Sequence, residues 1–573
     1  MSYILGIDLG TSTSEVAVFK DGEPVIIPNI EGKLIMPSIV GMDEYGEIIV
    51  GEKAKEQLLL RPSHTAIEVK RLMGEDTKVF LGDREFSPVE ISSHIVKHLA
   101  YSAFKYLDEN IESAVITVPA YFTDKQRKAT IEAGKLAGLN VERIINEPTA
   151  ASLDYGINNM DATKNLLIYD LGGGTLDVTV LELFEGVVEV KASAGNNKLG
   201  GKDFDQAIID YVKDYAKKDL GLDITDARAL IRIKDSAEKC KIALSKEESY
   251  RIDLPLIGEV NGGAVNLALD ITRELFDELI KNMVDSTKEQ IEVALEDANL
   301  KVDDIDNVLL VGGSTRIPYV AKFIESVFGK NPLTSVDPDL AVVRGASIQG
   351  AILNGQLSSQ TDIMLTDVCP YTLGVECAKG EFLAMETGFF DPIINRNTTI
   401  PTKQQKKYCT SHPMQTSVDI RVYQGDSPRV DDNIFLGEFK LSGIPKNAFN
   451  VEPIDVSFMY DANGILQVEA IVCSTGTKAN ISIDSKNVEL EEEVDYSNWK
   501  QAQLARKYRA TINKADRLVA QNEYEYDDVD IAMLESGAIA LKKALVKEAS
   551  KEELDRLHEE LNSTIYDVMQ ELE

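Results

Sequence analysis

The chain is short of several things, and each shortage excludes a class of function. Lys and Arg number 60 against 95 Asp and Glu, a net charge of −35. Such a surface repels a phosphate backbone, so no nucleic-acid partner is expected. Cysteine is scarce: Cys240, Cys369, Cys377, Cys409 and Cys473 are an odd set without C-x-x-C spacing. That pattern builds no disulfide framework and fits reduced thiols in the cytoplasm. No apolar run approaches the ~18 residues of a membrane span, so no membrane insertion is expected. Met1 to Gly6 lacks the basic and long apolar regions of a secretion signal. The histidines (His64, His94, His98, His412, His558) are scattered without metal-ligand spacing. There is no G-x-x-x-x-G-K-[ST] phosphate loop, and Gly172-x-Gly174 lacks the third glycine of a dinucleotide fingerprint.

What remains is ordinary globular material: 44% hydrophobic and 27% charged residues, so extensive disorder is not expected. At ~150 residues per domain, 573 residues make roughly four compact units. Residues 1–357 alternate short apolar strands, such as Ser113 to Val118 and Asn165 to Asp170, with amphipathic helices. One helix is expected from an N-cap at Thr123 to about Leu139, with Gly138 near its end. This texture is α/β. Residues 358–367 read as a linker that docks somewhere. From 368 to about 487 the helical pattern gives way to alternating strands and turns, such as Ser417 to Tyr423 and Asp461-Ala-Asn-Gly464, a β-sandwich signature. Residues 488–573 are helical, with Leu504, Tyr508, Ile512 and Leu518 as the packing face.

One internal echo carries chemistry. Ile4-Leu-Gly-Ile-Asp8-Leu-Gly10-Thr11-Ser12-Thr13 is a strand, an Asp, then a Gly and hydroxyl turn into a second strand. The same order returns 162 residues later in Leu167-Ile-Tyr-Asp170-Leu-Gly172-Gly173-Gly174-Thr175-Leu-Asp177. Glycines admit backbone N–H groups close to phosphate oxygens, hydroxyls add donors, and Asp can hold a hydrated Mg²⁺. Either turn alone reads more readily as a plain Gly-rich hairpin; as a pair they would clamp a polyphosphate. A third element, Asn307-Val-Leu-Leu-Val-Gly312-Gly313-Ser314-Thr315-Arg316, is a strand into a Gly-Gly turn that opens a helix, suited to flat approach of a base or ribose. Glu238, Lys241 and Ser245 share one helical face, which spacing alone would read as solvated surface.

Asp8-Leu-Gly10-Thr11, Val118-Pro-Ala-Tyr-Phe122, Ile145-Asn-Glu-Pro-Thr-Ala-Ala151, Asp170-Leu-Gly-Gly-Gly-Thr175 and Leu199-Gly-Gly-Lys-Asp-Phe204 resemble the heat shock protein 70 (DnaK-like) chaperones. The likeness continues in order through Asn397-Thr-Thr-Ile-Pro-Thr402 and Tyr423-Gln-Gly425. Leu365 to Tyr371, Phe390 to Thr399 and Ser411-His-Pro413 look most like the HscC branch, and a stretch usual between the Lys70 region and Ser87-Pro88 is missing.

The resemblance implies an actin-like α/β ATPase domain, a β-sandwich peptide-binding domain and a short α-helical lid. It implies that Gly10, Thr11, Ser12 and Thr13 hold phosphates from one lobe and Gly172, Gly173, Gly174 and Thr175 from the other. Asp8 and Asp170 would hold Mg²⁺ through water. Lys70 would stabilise the γ-phosphoryl, while Glu147, Asp177 and Thr175 orient the attacking water. Adenosine would meet Glu238, Lys241, Ser245, Gly312, Gly313, Ser314, Arg316 and Asp339. Pro119 and Arg127 would relay to the linker, Ile363-Met-Leu-Thr-Asp367, where Thr366 replaces a usual leucine and weakens docking. Val375, Cys377, Tyr408, Ser411, Val418 and Ile420 would line the peptide cleft, although strand alternation alone also reads Val418 and Ile420 as sandwich core.

The function implied is ATP-driven binding and release of extended apolar segments of unfolded clients. ATP or ADP, Mg²⁺ and K⁺ are the implied cofactors, and a J-domain co-chaperone the implied partner. A nucleotide exchange factor is in question, because the missing stretch removes part of the surface such factors grip. Two other readings share the phosphate hairpins. A small-molecule kinase of the actin-like superfamily would need an acidic base between the lobes and no sandwich. A filament-forming actin relative would end after the second lobe.

Overall fold

The computed structural model describes residues 3–157, 159, 163–184, 186–333, 336–357, 364–380, 385–446, 451–482, 499–501, 504–520, 534, 538–539, 541–542, 544–546 and 550–570. Most of the expected linker (358–363) and the start of the expected lid (488–498) lie outside them.

The first sheet contains β1 (Ile4–Leu9), β2 (Thr13–Lys20), β3 (Glu23–Ile26), β4 (Ser113–Val118) and β5 (Asn140–Asn146), in the order β5-β4-β1-β2-β3. Its helices are α1 (Pro88–Leu107), α2 (Asp124–Leu136) and α3 (Glu147–Gly156). The second sheet contains β6 (Lys164–Leu171), β7 (Leu176–Phe184), β8 (Val187–Asn196) and β9 (Asn307–Val311). With it come α4 (Gly201–Asp219), α5 (Ala227–Leu244), α6 (Pro318–Phe328) and α7 (Ala341–Leu353). Near-continuous apolar runs in β1, β4 and β6 are the mark of strands covered on both faces. Adjacent Val115 and Ile116 of β4 enter different cores, the first with residues of α7 and the second with residues of α1. The α2 helix starts as its sequence directs: Thr123 accepts from the Gln126 N–H, and the Gln126 side chain returns the bond. Gly345 of α7 lets that helix approach α3 closely, since a Cβ there would lie 1.7 Å from the Ala150 carbonyl oxygen.

The two sheets repeat one plan. β1 pairs parallel with β4 and antiparallel with β2, as β6 pairs with β9 and β7. In register Asp8 faces Glu15, and Asp170 faces Asp177. Both pairs are separated by 162 residues (170 − 8 and 177 − 15), the offset of the sequence echo.

The second sheet does not stop at β8. A strand β10 (Met364–Val368) pairs parallel with it, Leu365 opposite Val188 and Thr366 opposite Glu189. Asp367 then pairs with Ile400. The end of the expected linker is thus a sheet strand, paired with the second sheet on one side and with the sandwich on the other.

The sandwich has β11 (Leu373–Lys379), β12 (Glu386–Ile394), β13 (Thr399–Ile400), β14 (Thr402–Cys409), β15 (Ser417–Gln424), β16 (Ile434–Ser442), β17 (Pro453–Tyr460), β18 (Leu466–Val472) and β19 (Lys478–Ser482). Its sheets run β12-β11-β15-β16 and β14-β17-β18-β19, around a core that includes Leu373, Val422, Phe439, Phe458 and Val468. At the helical end α8 (Ala505–Ala520) and α9 (Lys551–Gln570) share their own core of Trp499, Tyr508, Ile512, Leu554 and Ile565. Leu504 departs from its expected place. The helix begins after it, so Leu504 is exposed and Ala505 takes the buried position.

Candidate active site

The two hairpin turns meet. A Cβ on Gly173 would lie 2.4 Å from Ser12 Oγ of the opposite lobe, and one on Gly10 2.1 Å from the Thr13 carbonyl oxygen. The second turn is closed by the Gly172 N–H donating to the Thr175 carbonyl at 3.0 Å. At Gly10 only glycine fits this close to backbone, and side-chain-free turns of this kind let N–H groups approach an anion.

Beneath the turns lies a buried charged set. Lys70 Nζ is 2.5 Å from Glu147 Oε1, both side chains almost wholly covered. Burial pulls the Lys70 ammonium toward neutrality, but Glu147 and Asp8 outweigh it and hold the ammonium above its ordinary range. Thr117 Oγ1 donates to Asp8 Oδ1 at 2.7 Å. Burial first and Glu147 second push Asp8 up to about 6 and Asp177 up to about 7. The same two causes raise Asp170. Asp170 Oδ2 is buried with no hydrogen-bond partner, whereas the Ala120 and Tyr121 N–H groups lie close enough to Asp177 to pull against its upward shift. Lys70 is outnumbered by Asp8, Glu147, Asp170 and Asp177, so the site is short of positive charge.

The structure adds a carboxylate that the sequence reading passed over. Glu15 is 2% exposed and faces Asp8 across the hairpin. Burial and the neighbouring Asp8 hold it well above the carboxylate range. Only the register of the repeat, which sets Glu15 where Asp177 stands in the other half, could have flagged it.

The residues expected around adenosine come from α5 and the turn after β9. Glu238 takes Lys202 Nζ at 3.0 Å, and despite burial Lys202 and Lys55 hold it down to about 2. Lys241 Nζ bonds the Gly201 carbonyl and Asp205 at 2.9 and 2.8 Å, and Ser245 caps its own helix on the Lys241 carbonyl. Ser314 Oγ donates to the Gly172 carbonyl at 2.8 Å, tying this turn to the second hairpin turn. Arg316 is clamped by Asp337 and Asp339. Gly312 adopts φ +82°, where a Cβ would sit 2.5 Å from the Leu171 carbonyl oxygen. The Gly-Gly turn opens a helix as expected, though the first turn is not α-helical. Gly313–Arg316 is a 3-10 turn, and α6 waits until Pro318, because the residue before a proline avoids helical geometry.

Three ion pairs cross between the lobes at this end of the site: Lys55–Glu238 (3.4 Å), Glu68–Lys234 (2.8 Å) and Arg71–Asp203 (3.2 Å). None was legible beforehand, since their partners lie 132 to 183 residues apart.

The site connects directly to the linker strand. Asn146, next in sequence to Glu147, accepts from Arg127 Nη2 at 2.7 Å through Oδ1 and donates through Nδ2 to Asp367 Oδ2 at 2.9 Å. Thr149 Oγ1 adds a second donor to that oxygen at 3.0 Å. Arg127 is 3% exposed and also donates to the Ala120, Phe122 and Asn463 carbonyls. Pro119 lies buried in the turn ahead of α2 and accepts from the Phe122 N–H. The sandwich adds the Leu466 N–H to Asp124 Oδ1 (2.8 Å) and takes the Ile144 N–H on Asn463 Oδ1 (3.0 Å). Asp297 of the second lobe holds Arg396 and Asn397. Asn146, Thr149, Asp124, Asn463 and Asp297 were all missed, because nothing local marks a polar residue as an interdomain contact.

In the sandwich, Val375 and Ile420 are buried in the core, whereas Cys377, Tyr408, Ser411 and Val418 are half-buried. Val418 and Ile420 share one face of β15. Tyr408 Oη donates to Asp391 Oδ2 at 2.7 Å.

A family model described as Hsp70 protein matches residues 4–573. A "Chaperone protein DnaK" of Thermosipho melanesiensis is 46% identical over 538 residues, 92% of this chain and 89% of that one. One from Thermotoga petrophila is 44% identical over 575 residues, covering 100% of this chain and 92% of its own length. Another, from Thermotoga neapolitana, is 48% identical over 496 residues, 86% and 82% of the two chains. A match that runs through nearly the whole chain, paired hairpins included, shows that the chain belongs to the Hsp70 family.

Proposed function

We propose that the buried set around Lys70 hydrolyses ATP and that the strand at Asp367 carries the nucleotide state to the sandwich. The chain is an ATP-dependent chaperone, an ATPase that binds unfolded clients. The single observation that carries the coupling is the adjacency of Glu147, paired with Lys70, and Asn146, paired with Asp367.

The N–H groups and hydroxyls of Gly10 to Thr13 and Gly172 to Thr175 hold the phosphates. Lys70 places positive charge where it spreads over the transferred phosphoryl, and Glu147 keeps the ammonium in position and charged. Asp177 and Glu147 orient the attacking water, with Thr175 assisting. The unpartnered Asp170 Oδ2 and the excess of carboxylates fit bound cations. Asp8 and Asp170 would hold Mg²⁺ through water; that ion would neutralise phosphate charge. Among the described residues no three His, Cys, Asp or Glu side chains are grouped to chelate an ion by themselves, which suits one shared with phosphate and water. K⁺ fits the same carboxylate excess.

The extents follow the sequence reading: ATPase domain 1–357, linker 358–367, sandwich 368–487 and lid 488–573. Val375, Cys377, Tyr408, Ser411, Val418 and Ile420 line a cleft for an extended apolar segment, bound by backbone hydrogen bonds and a hydrophobic pocket. A J-domain protein is the co-chaperone that speeds hydrolysis. No described helix is long and apolar enough to cross a membrane, and the cytoplasm is the proposed location. The narrower likeness to the HscC branch rests on residues 365–371, 390–399 and 411–413 alone; the relatives compared are named DnaK and lend it no support.

The test pairs two variants. Lys70→Ala should bind ATP but lose hydrolysis, and Val418→Phe should hydrolyse ATP but bind a fluorescent extended apolar peptide poorly. Unchanged peptide binding by Val418→Phe would refute the cleft, and unchanged hydrolysis by Lys70→Ala would refute the catalytic role.

A further inference from the structure

The cleft contains a carboxylate that a purely apolar pocket would not need. Asp391 of β12 is the direct cross-strand partner of Val375, so both side chains stand on one face of the sheet. Cys377 and its partner Phe389 lie two residues along on that face. From the other sheet, Tyr408 reaches over and donates its hydroxyl to Asp391 Oδ2 at 2.7 Å. Lys406 of the same strand brings Nζ to 2.8 Å from that same oxygen and also bonds the Pro392 carbonyl. Three of the proposed cleft residues therefore surround a carboxylate both of whose partners sit on one oxygen. Among the described residues no donor reaches Oδ1, and the Asp391 side chain is 22% exposed, open to a ligand. Burial and Asp391 both push the Tyr408 phenol up, so it remains a donor and does not compete as an anion.

We infer that Asp391 is a specificity-determining residue of the peptide cleft: its Oδ1 selects client segments that bring a hydrogen-bond donor, rather than an aliphatic side chain, to the position beside Val375 and Tyr408. The inference rests on the proposed cleft. A side chain such as Gln or Lys can lay its methylenes along the half-buried Cys377 and Tyr408 ring while its head reaches Oδ1. An aliphatic side chain there leaves a carboxylate oxygen stripped of water without a partner, the costly half of a hydrogen-bond exchange.

The experiment uses the full chain with ADP and three labelled heptapeptides identical except for norleucine, Gln or Lys at the central position, read by anisotropy. Gln or Lys should bind about fivefold tighter than norleucine, the equivalent of one hydrogen bond of net ~1 kcal/mol. In Asp391→Ala the preference should vanish while norleucine binding holds or improves. In Asp391→Asn, which keeps an acceptor and the native shape, the Gln preference should survive. Equal binding of all three peptides by the native chain, or a preference that persists in Asp391→Ala, overturns the inference and leaves the cleft standing. Should none of the peptides bind the native chain, the cleft reading falls and takes this inference with it. If Asp391→Ala does not fold, the decision rests on the native series together with Asp391→Asn.

Discussion

Asn146 and Asp367, 221 residues apart in sequence, are joined by a buried 2.9 Å hydrogen bond, and Asn146 is the residue before Glu147. The other side of the Asn146 amide accepts from Arg127. One peptide unit thus separates the partner of Lys70 from the partner of strand β10. A displacement of Glu147 when γ-phosphate arrives or leaves cannot spare Asn146. Packed elements respond by switching between discrete arrangements rather than by bending, and β10 on or off the edge of β8 is such a pair.

Lys70 is the residue whose loss should separate chemistry from signalling. Lys70→Ala removes the only ammonium in the buried set and leaves Glu147 beside Asp8 and Asp170. Single-turnover hydrolysis should fall by about 10²–10³, the usual effect of deleting one charge-stabilising group. ATP binding and docking of β10 should persist.

The interlobe pair Glu68–Lys234 should retard nucleotide exchange. The Lys234 side chain is 42% exposed, so the pair is worth little: breaking it with Glu68→Ala should speed ADP release about two- to fivefold. The swap Glu68→Lys with Lys234→Glu should restore the native rate in stopped-flow release of a fluorescent ADP. Equal rates in all three proteins would dismiss the pair as a brake.

Thr366 carries a defect. Its hydroxyl is buried against β8 with no hydrogen-bond partner. The sequence reading expected weak docking from a missing leucine; the structure supplies a second reason, a polar atom stripped of water. Thr366→Val keeps the shape and removes that atom, and should favour the docked strand by about 1 kcal/mol. Hydrogen exchange of the β10 amides in the ATP state should slow about fivefold.

Docking should strengthen on acidification. Burial outweighs Lys128 and the Leu466 N–H to raise Asp124 to about 6, from an ordinary value of 3.8. A carboxyl raised in the docked state takes up a proton there first. Its contribution is therefore fully present below the ordinary value and lost as pH rises through about 6. Asp367 is raised as well, chiefly by burial, and acts in the same direction. Energy transfer between labels on the ATPase domain and the sandwich should rise between pH 7 and 5. Asp124→Asn should dock more firmly at pH 7 and show a flatter profile.

Much of this site was legible in sequence because its chemistry is local. The Asp–Gly–hydroxyl turn, repeated at a fixed offset, specifies two hairpins and where their carboxylates point. The strand at Ser113 to Val118 follows from its short apolar run, and the Thr123 cap from capping chemistry. Glu15 escaped because a carboxylate in an apolar strand has no meaning until the register sets it opposite Asp8. Arg127 and Asp367 came only from family likeness; their partners Asn146, Thr149 and Asn463 needed three-dimensional structure. The same holds for Asp391, whose importance comes from Tyr408 on another sheet.

The most direct measurement loads the full chain with a fluorescent extended peptide, adds Mg-ATP, and follows release in the native protein, Lys70→Ala, Asn146→Ala and Asp367→Ala. ATP should speed release in the native protein and in Lys70→Ala alike, because binding and not hydrolysis moves the strand. Asn146→Ala and Asp367→Ala should bind ATP and peptide yet lose at least about tenfold of the acceleration, as expected when a buried charged hydrogen bond of 1.5–3 kcal/mol is removed. ATP-driven release at the native rate in Asp367→Ala would contradict the account, because the signal would then bypass the Asn146–Asp367 bond.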